Sequence, residues 1–497
     1  MVKKLQNPKD FDIPIEVSRI TDTLEKAGFE AYLVGGCVRD LLLGVPPKDW
    51  DVTTNATPEQ IISLFPKTFY ENTFGTVGVV NEEKETSKNL GIIEVTPFRL
   101  ETRYSDNRHP DSVAFSTKIE DDLLRRDFTI NALAFNESKG QLVDLYKGQD
   151  DLERGIIRAV GDPEQRFKED ALRILRAVRF SSQLGFMINN ETEKSLLLHV
   201  KLLKNISKER IRDEFIKILE SKSPMIGLSL AQRLGMLEFI CPDLEKGIGV
   251  KQNQAHAFEV WEHLLRTVQC AADKNFSLEI RTAALFHDIA KPHTKRYDNQ
   301  KKLITFYGHD VIGSKIAKKT LEDLKFPKKF IEKVEKLVRW HMFFSDTEQI
   351  TLSAVRRLIV NVGKENIWDL MDLRLCDRVG TGRPKESPYR LRKYHAMIEE
   401  ATRDPLTVGM LKIDGRGVSK AANINPGPKI GHILHALLEE VLENPSLNNE
   451  AYLEKRADEL AKLDEEELEN LGKKGKEAKE KTEEKNIEDL RKKYWVK

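Results

Sequence analysis

A chain of 497 residues with 81 Lys and Arg against 80 Asp and Glu carries a formal net charge of only +1, so any surface for a polyanion must be a local basic patch. That length exceeds what one hydrophobic core organises, and a charged fraction of 32% lies above the usual quarter, which points to several domains of a soluble protein. Cys37, Cys241, Cys270 and Cys376 share no CxxC spacing, no apolar run reaches bilayer-spanning length, and MVKKLQNPKDFDIP has no signal-peptide core. A disulfide frame, a zinc ribbon and a membrane protein are therefore excluded, and a cytoplasmic location is expected.

In chain order, VSRITDTLEKAGF has helical periodicity and EAYLVGG reads as a short strand ending in glycine. Gly35 and Gly36 stand where that strand meets the helical stretch VRDLLLG, an arrangement that lets phosphate approach backbone amides, with Arg39 one turn in as a charged donor. If DWDV is a strand, Asp49 and Asp51 project to one face and Trp50 to the core on the other. Two such carboxylates can share divalent cations that arrive with a triphosphate. An isolated DxD is more often a solvent-facing acidic pair; the glycines before it join both features into one candidate site. TPEQIISLF opens on a Thr-Pro pair that starts a helix, while GTVGVV, GIIEVTPFRL and QLVDLY read as strands rich in Val, Ile and Thr. Glu94, on the second of these, is a candidate third acidic group, with a plain surface carboxylate as the alternative.

From GDPEQRFKEDALRILRAVRFSSQLGF to about Pro445 the spacing predicts helices throughout. In EDALRILRAVRF, Asp170, Arg173, Arg176 and Arg179 step by three and form a drifting stripe on a helix whose other flank is Leu172, Leu175 and Val178. A carboxylate and a guanidinium held on one helix offer an acceptor and a fork of donors, enough to read the edge of a nucleobase; a surface salt-bridge ladder is the plainer alternative. SKERIRDEFIKILES begins with a serine cap, and the final LDEEELENLGKKGKEAKEKTEEKNIEDLRKKYWVK reads as a partly helical charged tail.

GGCVRD followed by KDWDVTTNATPEQI resembles the signature of class II tRNA nucleotidyltransferases (the CCA-adding enzymes) and bacterial poly(A) polymerases, in the polymerase-beta superfamily. EDDLLRRDFTINALAF, with Arg125, Arg126 and Asp127, is similar to the second family motif, LVDLYKGQDDLERGIIRAVGDP to the third and RFKEDALRILRAVRF to the fourth, all in order. The resemblance implies an α+β fold: a polymerase-beta-like nucleotidyltransferase head at 1–162, then an all-helical neck and body at 163–250 that reads nucleotide and RNA. It implies that Asp49 and Asp51 are catalytic and hold two Mg2+ ions for transfer of a nucleotide from CTP or ATP to the 3′-hydroxyl of tRNA. Gly35, Gly36, Arg39, Arg126, Arg176 and Arg179 would then bind nucleotide and phosphates, and Asp170 and Arg173 would pair with the base in place of a template. RYSDNRHPDSVAF resembles the family's flexible loop, which is shortened in CC-only enzymes; here it is whole, with Asn107 where glycine is expected. A GRRF-like element of poly(A) polymerases is absent. Full CCA addition is the reading, with A-only or CC-only addition and poly(A) polymerase as alternatives.

His263 in VWEHLLRTV, His287-Asp288 in ALFHDIAKP and Asp377 in RLCDRVG follow the order of the HD phosphohydrolase superfamily, with His309 and His341 as the extra histidines of some members. This resemblance implies an HD domain at 251–385 in which His263, His287, Asp288 and Asp377 hold a divalent metal (Mg, Mn, Ni or Fe) and phosphomonoesters or cyclic phosphates are hydrolysed. A helical C-terminal region with the charged tail would occupy 386–497. A relict HD fold kept for tRNA binding is the plainer reading. The rival class is an RNA-binding HD phosphohydrolase with an inactive transferase head.

Overall fold

The computed structural model describes residues 5–70, 75–81, 90–102, 112–252, 257–299, 303–343, 350–382, 388–464 and 467–468. Contacts divide the chain into two compact units, 1–242 with 323–325, and 243–322 with 326–497.

The first unit starts with α1 (Ile15–Lys26), β1 (Ala31–Val34), α2 (Gly36–Leu42), β2 (Asp51–Thr54), α3 (Pro58–Leu64), β3 (Thr68–Tyr70), β4 (Val77–Val80) and β5 (Ile92–Pro97). There follow β6 (Arg99–Thr102), β7 (Ser112–Phe115), α4 (Ile119–Leu124), a 3-10 turn at Thr129–Asn131, β8 (Leu133–Asn136), β9 (Gln141–Asp144) and α5 (Gly148–Arg154). Seven strands form one sheet in the order β3-β4-β5-β2-β1-β8-β9. Its single parallel pairing is β2 with β5, and that register sets Asp51 beside Glu94. The run GIIEVTPFRL does not make one strand. Pro97 has no N–H to continue the ladder, and beyond the buried Phe98 the chain pairs β6 with β7 in a separate ribbon. The strand expected over DWDV begins only at Asp51; Asp49 sits in the bend before it, while Trp50 is buried as anticipated. β8 had no sequence signal of its own because all four residues are buried, which removes the alternation that marks a half-exposed strand.

The unit continues with β10 (Ile156–Ile157), α6 (Pro163–Glu169), α7 (Leu172–Leu184), β11 (Met187–Ile188), α8 (Asn190–His199), α9 (Lys208–Leu219), α10 (Pro224–Arg233) and α11 (Leu237–Ile240). Here the helical stripe needs correcting. Asp170 is not on the helix with Arg173: its backbone is extended (φ −134°, ψ 103°) at the end of α6, and its Oδ1 accepts the Leu172 amide at 3.0 Å. A short carboxylate that binds a nearby amide competes with helix continuation, so EDALRILRAVRF breaks into two helices. Leu175 and Val178 face the core as expected, and Ser207 stands at the N-cap of α9 without a side-chain bond.

After α12 (Pro242–Glu245), the second unit holds α13 (Val260–Asp273), α14 (Leu278–Phe286), α15 (Lys291–Thr294), β12 (Arg296–Asp298), β13 (Leu303–Thr305), α16 (His309–Asp323) and α17 (Lys328–Trp340). It ends with α18 (Leu352–Val362), α19 (Ile367–Gly380), α20 (Tyr389–Ala401), α21 (Gly415–Ala422), α22 (Pro428–Glu443) and α23 (Glu450–Ala461). The region read as helical throughout therefore contains strands: β11, which pairs with β10, and the antiparallel pair β12 and β13, all too short to show a period of two. α13 packs on α14 and α19, and α14 also on α17, which gathers the histidine-bearing helices. No helix among the described residues is long and apolar enough to cross a membrane. Most of the charged tail and residues 103–111 of the expected flexible loop lie outside the described residues.

The N-terminus of α3 closes with a capping box: Gln60 N–H donates to Thr57 Oγ1 at 3.4 Å, and Thr57 N–H to Gln60 Oε1 at 2.8 Å. Thr57→Ala is expected to lower the unfolding free energy by about 1 kcal/mol, read by urea denaturation followed by circular dichroism.

Candidate nucleotide site and metal centre

Between β1 and α2, Gly35 adopts φ +80°, and a Cβ there would stand 2.8 Å from Arg126 Nη1. The backbone demands glycine, and any larger residue would have to displace the Arg126 guanidinium. Arg126 is oriented by Asp122, whose carboxylate is fully buried and also takes Arg125; Arg126 Nη2 donates to Asp122 Oδ2 at 2.9 Å. The first residue of β2, Asp51, lies in register with Glu94, and paired residues of neighbouring strands share a face. Glu94 thus lies beside Asp51 on the same face of the sheet. Burial pushes the Asp51 carboxyl up; Arg126 opposes this, while Asp49 and Asp122 reinforce it. Carboxylates that disfavour one another's charge suit a divalent cation, so the residues present fit the implied magnesium.

Arg39 does not stand open as a phosphate donor. Its Nη1 donates to Asn131 Oδ1 at 2.7 Å, its Nε donates to Asp40 at 2.8 Å, and its guanidinium lies 5.3 Å from the centre of the Phe180 ring. Asn131 in turn donates to Asp127 Oδ1 at 3.1 Å, and Asp127 Oδ2 accepts from Arg176 Nε at 2.7 Å. Burial pushes the Asp127 carboxyl up, but Arg176 and Asn131 outweigh it and hold it well below the usual carboxylate range. Arg179 is buried, donates to Glu214 Oε1 at 2.9 Å and stacks 4.1 Å from the Phe180 centre. Burial and the neighbouring Arg176 pull it down to about 10 against the opposing effect of Glu214. Arg173 is held from three sides: Nη1 by Glu169 Oε2 at 2.8 Å and by the Arg166 carbonyl at 3.3 Å, and Nη2 by the Arg125 carbonyl at 2.8 Å. Asp170 is bound by Arg210 Nη2 at 2.8 Å. The structure therefore gathers the four motifs, with Arg176 and Arg179 engaged by protein carboxylates. Asn131, Phe180, Glu169, Arg210 and Glu214 act as their supports. Sequence reasoning missed these five, although the first three lie inside recognised motifs.

In the second unit, His263 from α13, His287 at the end of α14, the following Asp288, and Asp377 from α19 converge in a buried cluster. His263 Nε2 lies 3.2 Å from Asp288 Oδ2 and 3.3 Å from Asp377 Oδ1; His287 Nε2 lies 3.3 Å from Asp288 Oδ2. The other Asp288 oxygen, Oδ1, faces His309 Nε2 at 3.2 Å and His341 Nε2 at 3.6 Å. His309 and His341, read from the sequence only as extra histidines, thus have ligand geometry: two groups, His263–His287–Asp288 and Asp288–His309–His341, share one carboxylate. His287, His309 and His341 each set Nδ1 on a backbone carbonyl, of Ala284 at 2.9 Å, Phe306 at 2.6 Å and Val338 at 2.7 Å. An Nδ1–H anchored in this way leaves Nε2 as a lone pair aimed inward. Burial pulls His287 down, but Asp288 and Asp377 outweigh it and push it up to about 10. In each group, Nε2 atoms and carboxylate oxygens within 4.8 Å of one another make a donor set that fits a divalent metal.

Three family models match the chain: "Poly A polymerase head domain" over 31–158, "Probable RNA and SrmB- binding site of polymerase A" over 185–248, and "HD domain" over 260–379. The CCA-adding enzyme of Lactobacillus helveticus is 34% identical over 450 residues, covering 90% of this chain and 98% of that relative. The chain belongs to the CCA-adding enzyme family. The Leuconostoc mesenteroides CCA-adding enzyme is 42% identical over 275 residues, 54% of this chain and 66% of its own length. Among solved structures, the Bacillus stearothermophilus CCA-adding enzyme in complex with CTP matches with TM-score 0.67 at 28% identity, covering 89% of this chain and 97% of that one. The Thermotoga maritima CCA-adding enzyme complexed with tRNA, at 21% identity and TM-score 0.55, shows the same fold. CCA-adding enzymes and HD domains are metal-dependent in general.

Because the Asp127 carboxyl is depressed in the folded state, its contribution to stability is present above the ordinary carboxylate pKa and is lost as pH falls towards the folded value. Asp127→Asn is expected to cost about 3 kcal/mol at pH 7. Its deficit relative to the parent should shrink steadily below about pH 4, in urea titrations across pH.

Proposed function

We propose that this enzyme builds and repairs the 3′-terminal CCA of tRNA from CTP and ATP without a nucleic-acid template, in the cytoplasm. The observation that supports this most is the union, in one compact unit, of an acidic cluster at the glycine turn with an Asp170/Arg173 pair held by protein contacts on the opposite motif. Asp49 and Asp51, with Glu94 beside them, would hold magnesium. When bound, paired magnesium ions activate the attacking 3′-hydroxyl and neutralise the departing pyrophosphate. Gly35 and Gly36 leave room for the triphosphate, and Arg126, fixed by Asp122, supplies positive charge there. Arg176 and Arg179 add to the positive field around the nucleotide from behind their carboxylate partners.

Cytosine and adenine both present an exocyclic amine, whereas uracil and guanine present a carbonyl at the same place. An ionised carboxylate only accepts hydrogen bonds, so Asp170 can favour the first two, while the Arg173 fork donates to their ring acceptors. Full-length relatives named CCA-adding enzyme favour complete addition over A-only, CC-only or poly(A) synthesis. The division into head (1–162), neck and body (163–250), HD domain (251–385) and C-terminal region (386–497) is part of the same reading.

Primer extension on tRNA ending at its discriminator base tests it. Two additions with CTP alone, three with both nucleotides and then arrest are expected; a single A added only to CC-ended tRNA, or a long A-tail, would replace the reading. Asp49→Ala with Asp51→Ala should lower the rate by about a thousandfold or more.

The pair of histidine groups about Asp288 supports a second activity, phosphate-ester hydrolysis. His263, His287, Asp288 and Asp377 would hold one divalent ion, and Asp288, His309 and His341 another. A bound metal supplies an activated water and polarises the phosphate. In the presence of Mn2+ or Ni2+, hydrolysis of a chromogenic phosphomonoester is expected to vanish on chelation and in His287→Ala with Asp288→Ala, while CCA addition is largely spared. Loss of both activities in a folded variant would contradict two separate sites.

A further inference from the structure

Asp170 has no helix to orient it. It sits in extended backbone between α6 and α7, so the contacts of its carboxylate decide where its lone pairs point. Two contacts do so. The Leu172 amide donates to Oδ1 at 3.0 Å, a local bond that pins one edge of the group to the start of α7. Arg210 Nη2 donates to Oδ2 at 2.8 Å from α9, 40 residues away. One donor alone leaves a carboxylate free to turn about it; two donors on different oxygens set its plane. Each oxygen then keeps a second acceptor position for a ligand donor.

The geometry of α9 makes this second contact a fixed one. Arg210 and Glu214 are four residues apart and so share a helix face, and they reach Asp170 and Arg179 respectively. The two ion pairs have opposite polarity. A shift of α9 in one direction would bring Arg210 towards Arg179, and in the other Glu214 towards Asp170; each opposes like charges. The seam is not arranged for stability alone. Arg210 Nη1, Arg179 Nε and Glu214 Oε2 are buried without hydrogen-bond partners among the described residues, and each such atom is destabilising.

We propose that Arg210 is a specificity-determining positioning residue: it sets the plane of the Asp170 carboxylate so that an acceptor faces the exocyclic amine shared by CTP and ATP. This rests on the base-reading role given above to Asp170. Arg210 acts through Asp170 and does not touch the base. It holds Oδ2 through one donor, Nη2, whose direction is fixed by the guanidinium plane; a lysine ammonium is a point charge without that fixed direction.

The test measures kcat and KM for single additions by the full chain: CTP against UTP on tRNA ending at the discriminator base, and ATP against GTP on tRNA ending in CC. The variants are Arg210→Met, Arg210→Lys, Asp170→Asn and the Arg210→Met/Asp170→Asn double. Arg210→Met is expected to narrow both preference ratios about tenfold, the size of one misdirected hydrogen bond to a charged group. Arg210→Lys should restore part of the ratio. The double variant should match Asp170→Asn, since one residue works through the other. An equal loss with all four nucleotides in Arg210→Met, with ratios unchanged, would overturn the proposal and leave Arg210 as packing. Unchanged ratios in Asp170→Asn would remove the base-reading role itself. If Arg210→Met does not fold, Arg210→Lys decides: a narrowed ratio at parental thermal stability supports the positioning role, and an unchanged ratio overturns it.

Discussion

Asp127 is a buried carboxylate whose two oxygens and backbone reach into every motif of the head. Oδ2 takes the Arg176 guanidinium of α7; Oδ1 takes Asn131, which passes the bond on to Arg39 of α2; its carbonyl accepts the Val160 amide at 3.1 Å. The helix after the glycine turn, the Val160 segment and the helix after Asp170 therefore have few ways to move independently. A buried carboxylate stripped of its partner would cost about 3–5 kcal/mol, so the network holds as a unit or not at all.

That rigidity is what a protein needs when side chains replace a template. A base is distinguished by one amine against one carbonyl, and a donor or acceptor displaced by an ångström no longer discriminates. The surrounding charges are arranged accordingly. Three guanidinium groups, of Arg39, Arg176 and Arg179, lie within 5.4 Å of the centre of one ring, Phe180, where each is also paired with an acceptor. The ring face attracts cations, and the paired acceptors oppose the burial and mutual repulsion that pull Arg179 down. Arg173 shows the same logic with backbone carbonyls as partners.

The histidine cluster uses a different device for the same end. Imidazoles whose Nδ1 is committed to the carbonyl three residues back cannot rotate, and their Nε2 atoms point at a common carboxylate. Against its burial, Asp288 and Asp377 push His287 up, the electrostatics of a place that favours positive charge. With a cation, no ring has to turn. Fixed ligand direction is thus obtained from local helix geometry: His287 and His341 each follow the last turn of a helix, and His309 opens one.

Much of this was legible beforehand, for identifiable reasons. Glycine pairs, DxD and HD are short motifs whose chemistry is contained in adjacent residues, so Asp49, Asp51, His287 and Asp288 could be named from spacing. Glu94 could be named but not placed, because only the parallel pairing of β5 with β2 brings it to Asp51. The helix stripe through Asp170 was misread because a capping carboxylate and a helical one have the same spacing in a sequence. β8 was missed because a fully buried strand has no alternation. His309 and His341 could be named, but not that their Nε2 atoms face Asp288, since their direction depends on which carbonyls hold Nδ1. The sequence by itself determined the family, the order of motifs and the residue types available for metal and nucleotide. Tertiary structure alone decided their orientation: Arg210 on Asp170, Arg176 on Asp127, Asn131 on Arg39, and two histidine pairs on one carboxylate. These are contacts between residues far apart in the chain, and no local period encodes which distant side chain will set the direction of a lone pair.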